Sequence, residues 1–309
     1  MEQKLKGIDI SEFNGRIDFS KIKTQVDYVY IRATYGRYGI DKRFKEYTKG
    51  CIDNQIPFSF YYYSYATDVK KAEEEVNFFI DTIKEYKENI TFPLCIDMED
   101  SDGYKVKNGN PEKEVLTEIC LTACKKLAEN KFVPVIYANA DWFKNRLDSE
   151  KLKDKLKWLA WWNTDEKNVD KTSYCMWQYS SKGTLAGIES KNVDLNYSFV
   201  DFNKLKLYTE NVSKINFIKS KTLFSDIVIQ FISCYKFGQD LLNKLYKGLS
   251  SDEKLVYKEL TFEEQKKEVK KYFGLEQKTI DYLSNFIYAD DFFRLLYNAI
   301  CGKMLDIKE

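Results

Sequence analysis

The chain has 309 residues and a mass of 36.6 kDa, enough for one large domain or one domain with an appendage. Its 49 basic and 48 acidic residues leave a net charge of +1, which argues against binding to nucleic acid driven by phosphate neutralisation. Histidine is absent, so Ser-His-Asp and Cys-His catalysis and His-ligated metals are excluded, and proton transfer falls to carboxylates, Tyr, Cys or Lys.

The N-terminal stretch Met1 to Ser11 has no apolar core of the kind a secretory signal carries. Synthesis in the cytoplasm of a host, without export by a signal peptide, is the expectation. Seven scattered cysteines form no C-x-x-C pair and no disulfide pattern, and Cys120 and Cys124 read as core filling in a helix. No metal and no organic cofactor is implied. In the second half the longest charge-free apolar run, 227–235, is far short of the roughly 20 residues a membrane helix needs, so no membrane span is expected. The wealth of Lys, Asn, Ile and Tyr, with only six arginines, reads as an AT-rich genome.

In chain order, eight apolar or aromatic runs read as strands: Leu5 to Ile10, Tyr28 to Ala33, Pro57 to Tyr65, Phe92 to Met98, Val133 to Tyr137, Trp158 to Trp162, Cys175 to Tyr179 and Val193 to Tyr197. Helical periodicity fills intervals such as Val69 to Tyr86 and Glu112 to Asn130, the latter with Asn110 as cap and Pro111 at the first helical position. Alternating strands and helices imply a parallel sheet, and eight strands over about 200 residues imply an α/β fold, an irregular (β/α)8 TIM-like barrel. The last three intervals are too short for full helices, so loops or short turns should join the final strands. This catalytic barrel should span residues 1–205.

In such barrels the active site lies at the carboxyl ends of the strands. There the sequence sets Asp9, Asp97 with Glu99, and Asp194, four carboxylates at one mouth. Asp97 and Glu99, two apart on a strand, point to the same side. Like charges held that close keep one carboxyl protonated near neutral pH as a general acid; the plainer reading is a pair that caps loops or binds a cation. Tyr61, Tyr63 and Tyr65 share a face of the third strand, and with Tyr137, Trp142, Trp161 and Gln178 they offer flat rings and polar edges suited to sugars. Trp158 and Trp162 read as facing the helices.

The motifs Gly7-Ile8-Asp9-Ile10-Ser11, Tyr30-Ile31-Arg32-Ala33-Thr34, Asp97-Met98-Glu99, Ile136-Tyr137-Ala138-Asn139, Trp177-Gln178-Tyr179-Ser180 and Val193-Asp194-Leu195-Asn196 occur in an order that resembles the family-25 glycoside hydrolases. That resemblance covers roughly residues 5 to 202. It implies a lysozyme (1,4-β-N-acetylmuramidase) that cuts peptidoglycan between N-acetylmuramic acid and N-acetylglucosamine. It implies Glu99 as proton donor, with Asp97, Asp9 and Asp194 completing an acidic floor. A retaining reaction then needs either a carboxylate nucleophile, for which Asp194 is the candidate, or attack by the substrate's own acetamido group oriented by Asp97. Where the family usually has Lys-Ala-Thr-Glu-Gly, this chain has Arg32-Ala33-Thr34-Tyr35-Gly36. Substrate contacts near Tyr35 should therefore differ, while Arg32 is either such a contact or a structural ion-pair partner.

After Phe202 the texture turns helical. Apolar spacing predicts helices over 214–247, 252–259, 262–273, 276–287 and 290–303, with Ser250–Glu253 and Thr261–Glu264 as capping boxes and Gly274 as a stop. This smaller all-α domain, residues 213–309, is expected by its position to bind the cell wall, with homo-oligomer contacts as the other use of its helices. Tyr282, Phe286, Tyr288, Phe292 and Phe293 are its candidate ligand aromatics. The expected whole is a phage endolysin freed by lysis or a holin-type pore, acting on peptidoglycan of a Gram-positive, clostridial-type host. The alternatives are a hexosaminidase or chitinase-type barrel, and an inactive glycan-binding protein.

Overall fold

The computed structural model describes residues 4–153, 155–200, 211–225, 228–229, 231–232, 237–285 and 289–303. The chain divides into two compact units, Met1–Asn203 and Lys204–Glu309.

In the first unit, strands β1 (Leu5–Ile10), β2 (Tyr28–Tyr35), β4 (Phe58–Tyr63), β5 (Leu94–Asp97), β6 (Pro134–Asn139), β7 (Lys157–Ala160), β8 (Met176–Gly183) and β9 (Val193–Ser198) form a barrel that β1 closes by pairing with both β2 and β9. The two-residue β3 (Gly39–Ile40) folds back antiparallel on the end of β2. The strands start where the apolar runs do, because β-branched and aromatic side chains suit a pleated wall buried on both sides. At Gly7 the wall admits no side chain: a Cβ there would lie 2.1 Å from the ring of Tyr28, its register partner on β2.

Helices cover the early strands. In α3 (Val69–Ile83) Ala72, Val76, Phe79 and Ile83 recur at helical spacing and are buried, and Asp68 caps the first turn by accepting from the Lys71 amide at 2.8 Å. Each such large apolar side chain contributes roughly 1.5–3 kcal/mol by leaving water. Helix α5 (Lys113–Glu129) buries Leu116, Ile119, Cys120, Ala123, Cys124 and Leu127. It starts later than its sequence suggests: Glu112 occupies the cap, while Asn110 has φ 43 and accepts from Arg146, so Pro111 lies outside the helix. The shorter helices are α1 (Phe19–Ile22), α2 (Phe44–Asn54) and α4 (Tyr104–Lys107). Between the last strands only single turns occur, at Trp142–Arg146 and Glu166–Asn168.

The expected all-parallel sheet fails at its last member. Strand β9 runs antiparallel to both β8 and β1, because residues 184–192 are too few for the dozen or so that a parallel crossover requires.

The second unit packs α6 (Val212–Thr222), α7 (Gly238–Leu249), α8 (Phe262–Phe273), α9 (Gln277–Ser284) and α10 (Ala289–Ile300) around a core that includes Leu241, Leu245, Leu283, Phe292, Phe293 and Leu296. The single helix expected over 214–247 is interrupted at Leu223, which takes a left-handed φ of 60; residues 226–227, 230 and 233–236 of that span lie outside the described ones. No helix forms over 252–259. Ser250 turns its hydroxyl back to the Tyr246 carbonyl instead of capping forward, and the following segment is tied down through Leu255 N to Ile300 O and Tyr272 Oη to Glu253 O. The Thr261–Glu264 capping box and the left-handed Gly274 bound α8. Phe292 and Phe293 are core, Tyr282 stacks on Phe231, and Phe286 and Tyr288 lie outside the described residues. So does the connection at 201–210. Among the described residues no helix is long and apolar enough to cross a membrane.

Candidate active site

A cavity of about 290 Å³ opens at the mouth of the barrel, with Asp9, Asp97, Glu99 and Asp194 in its wall. Asp9 and Asp194 are direct partners across the β1–β9 pair, so their side chains share one face. Asp97 ends β5 between Tyr63 of β4 and Tyr137 of β6, and Glu99 follows two residues later.

Burial dominates the electrostatics. It lifts the Glu99 carboxyl to about 7, against the opposing pull of the Lys105 ammonium, and Asp194 to about 8, with Asp9 and Glu99 adding repulsion. Asp97 lies well above the ordinary carboxylate range, through burial and then the charge of Glu99. Asp9 rises only to about 6, because burial is partly offset by bonds to its Oδ2 from Asn196 Nδ2 at 2.7 Å and Gln178 Nε2 at 3.0 Å. Packed this way, Asp97, Glu99 and Asp194 retain protons near neutral pH that isolated carboxyls would have lost, while Asp9 is mostly ionised there.

A buried network fixes the floor. Trp158 Nε1 donates to Asn196 Oδ1 at 3.0 Å, while Gln178 Oε1 accepts from Tyr137 Oη at 3.0 Å and Trp162 Nε1 at 2.9 Å. Asp97 Oδ1 is the exception: it is buried and has no hydrogen-bond partner among the described residues. A buried acceptor left open costs free energy that only an incoming donor can recover. Among the described residues no group of three or more acidic or cysteine side chains is arranged to hold a metal ion.

Residues 8–188 match the family described as glycosyl hydrolases family 25. The chain belongs to family 25. It is 30% identical over 196 residues to the autolytic lysozyme of Clostridium acetobutylicum, covering 62% of this chain and 55% of that protein. Among solved structures, the modular autolysin LytC of Streptococcus pneumoniae, in complex with a synthetic peptidoglycan ligand, superposes with a TM-score of 0.58 at 26% identity, over 64% of this chain and 47% of that one. The catalytic domain of endolysin ply40 from a Listeria monocytogenes bacteriophage shares the fold, with a TM-score of 0.55 at 24% identity over 68% and 99% of the two chains. The chain thus spans about half the length of the first two of these relatives.

Within the family-25 barrel the cavity gathers most but not all of the side chains that the sequence nominates. Asp9, Asp97, Glu99, Asp194, Arg32, Tyr61, Tyr63, Tyr137 and Gln178 line it. Tyr65 does not; it lies past the end of β4 on the rim, with its hydroxyl on Asp102 and its ring between Tyr63 and Tyr104. Trp142 sits away from the cavity, flanked by Lys105 and Arg146. Tyr35 stacks under Arg32, 5.3 Å from the guanidinium to the ring centre, and leaves the cavity wall to it.

The tryptophans reverse the expectation. Trp158 shares its pleat face with the cavity and is buried against Tyr137 and Tyr30, whereas Leu159 faces the helical layer. Strand β7 stops at Ala160, and the chain then brings the partly exposed Trp162 back over Gln178 in the cavity wall while Trp161 stays outside it. Parity sets Trp158 and Trp161 on opposite faces but does not say which face turns inward. Phe13, Ser101 and Ser181, also in the wall, lie just past or at the ends of barrel strands but bear no pattern that singles them out. Asn196 was visible only as part of a motif.

Arg32 takes both of its candidate positions. It lines the cavity, and it pairs with the fully buried Asp41 at 2.9 Å and with Glu12 at 3.2 Å. Its fork reaches two carboxylates at once, which a lysine's single ammonium does with less geometric control.

Proposed function

We propose that the barrel hydrolyses peptidoglycan as a 1,4-β-N-acetylmuramidase. The observation that carries this reading is the cavity itself, which buries four carboxylates among sugar-stacking rings and holds the Glu99 proton up to about 7. In this mechanism Glu99 donates its proton to the glycosidic oxygen as the C–O bond breaks. Asp97 Oδ1, the open acceptor, takes the N–H of the substrate's 2-acetamido group. The acetamido carbonyl oxygen then closes on the anomeric carbon, and water, deprotonated by Glu99, opens the resulting ring. Asp194 as direct nucleophile is the competing route. The Asp9 network with Asn196 and Gln178 keeps the floor rigid.

The test is digestion of purified Gram-positive walls, reduction with borohydride and mass spectrometry of the ends. Reduced muramic acid ends are expected, and Glu99→Gln should lose them while keeping the fold. Reduced glucosamine ends would redirect the reading to a glucosaminidase, and cleavage of chitin oligomers in preference to walls would redirect it to a chitinase-type enzyme. The absence of new ends would leave a glycan-binding barrel.

For the helical unit we propose wall attachment, by its position after a wall-cutting barrel, and for the whole chain the role of an endolysin that reaches the wall of a Gram-positive host when a cell is opened from within. A Glu99→Gln chain should sediment with walls, and soluble glycan fragments that fill the barrel should fail to release it.

A further inference from the structure

We propose that Lys105 is a positioning residue for Glu99, its buried ammonium holding the main chain beneath the two carboxylates and supplying the positive charge against which they ionise. The role presupposes the hydrolase reading above. Lys105 lies on α4 and is 1% exposed. Its Nζ donates to the carbonyl oxygen of Glu99 at 2.7 Å and to that of Ser64, so it ties the end of β5 to the end of β4 directly behind the cavity. The tie is itself held from both sides. Asp100 fixes the turn before α4 by accepting from the Lys105 and Val106 amides at 2.7 and 3.0 Å. Glu75 of α3, also 1% exposed, accepts from the Ser64 hydroxyl at 2.7 Å and the Tyr65 amide at 2.9 Å.

The partners of Nζ are what separate this lysine from an ordinary structural ion pair. Carbonyl dipoles solvate an ammonium without cancelling its charge, so the field reaches the acids around it. Those are Glu75 on α3 and Asp97, Glu99 and Asp100 on and after β5, with Cys120 facing it from α5. The rings of Tyr63 and Trp142 flank Nζ at 5.6 and 5.9 Å and keep water from screening it. Glu99 and Asp97 are both drawn downward by this charge against the effect of burial.

The experiment is a pH profile of wall hydrolysis for the full chain carrying Lys105→Met, Lys105→Gln or Lys105→Arg. Loss of the charge should move both limbs alkaline by about one pH unit, since every carboxyl facing the ammonium then binds its proton more tightly. Turnover should fall more than apparent substrate affinity. The Lys105→Arg chain should keep both limbs near those of the wild type. A neutral variant that loses rate with unmoved limbs would overturn the proposal. So would failure of both neutral variants to fold while Lys105→Arg folds, for that would make Lys105 a support of the fold alone. An inactive wild type would instead sink the hydrolase reading, so the two failures are distinguishable.

Discussion

Asp9 stores free energy that a single substitution should release. It is 8% exposed, and its folded-state value of about 6 stands well above 3.8. Each unit is worth about 1.4 kcal/mol, so keeping this side chain ionised in the fold at neutral pH costs about 1 to 3 kcal/mol. Asp9→Asn removes the ionisation while its remaining oxygen accepts from Asn196 and Gln178 as before. A raised carboxyl favours the fold only while protonated: the contribution of Asp9 to stability is full below about 4, is lost as pH rises to about 6, and stays absent beyond. The variant lacks this decline. The two chains should therefore melt together near pH 3.5, and at pH 7 the variant should melt about 3 to 10 °C higher. All five tryptophans, at 142, 158, 161, 162 and 177, lie in the first unit, so tryptophan fluorescence of the full chain reads the barrel alone. A variant that melts at or below the wild type at pH 7, or one whose advantage is equal at both pH values, would refute the reasoning.

Other outcomes follow from the same geometry. Hydrolysis should fade as pH rises through about 7, where Glu99 gives up the proton it must donate; a rate that still climbs at pH 8 would remove Glu99 from that role. Arg32→Met removes the ionic partner of Asp41, whose side chain has no exposure and keeps only the Glu12 and Arg43 amides, and should lower barrel stability by about 2–4 kcal/mol in urea titrations, with Arg32→Lys losing much less. Gly274→Ala places a side chain in open space but at φ 60, so the cost should be conformational only, about 1 kcal/mol in a melt followed by far-ultraviolet dichroism.

Strand positions in the barrel were legible because each wall segment is an uninterrupted apolar or aromatic run, and the acids were legible because Asp97 and Glu99 sit two apart at the end of such a run. Direction was harder. The reversal of β9 shows only in the short 184–192 connection, since a strand's side chains read the same in either sense. The tryptophan assignment kept the right parity but took the wrong face as the inner one, and β7 ends before Trp161. Trp142 is a different case, because nothing local says that a ring will pack over the buried Lys105 from another part of the chain. In the helical unit, periodicity described the stripes but not the breaks: nothing in the apolar spacing marks the left-handed leucine at 223, and the non-helical 252–260 segment answers to tertiary hydrogen bonds at Leu255 and Lys258 rather than to propensity.

Because β9 runs back alongside β1, Leu5 and Ser198 face each other as cross-strand neighbours, so the first residue of the first strand and the last residue of the last strand lie within a few ångströms. The barrel is thus a cassette whose ends a short peptide can join. A chain circularly permuted in this way and reopened at 84–89, where no side chain is buried, keeps every strand beside its present neighbours. Its point of attachment to any other module then becomes a free choice of design.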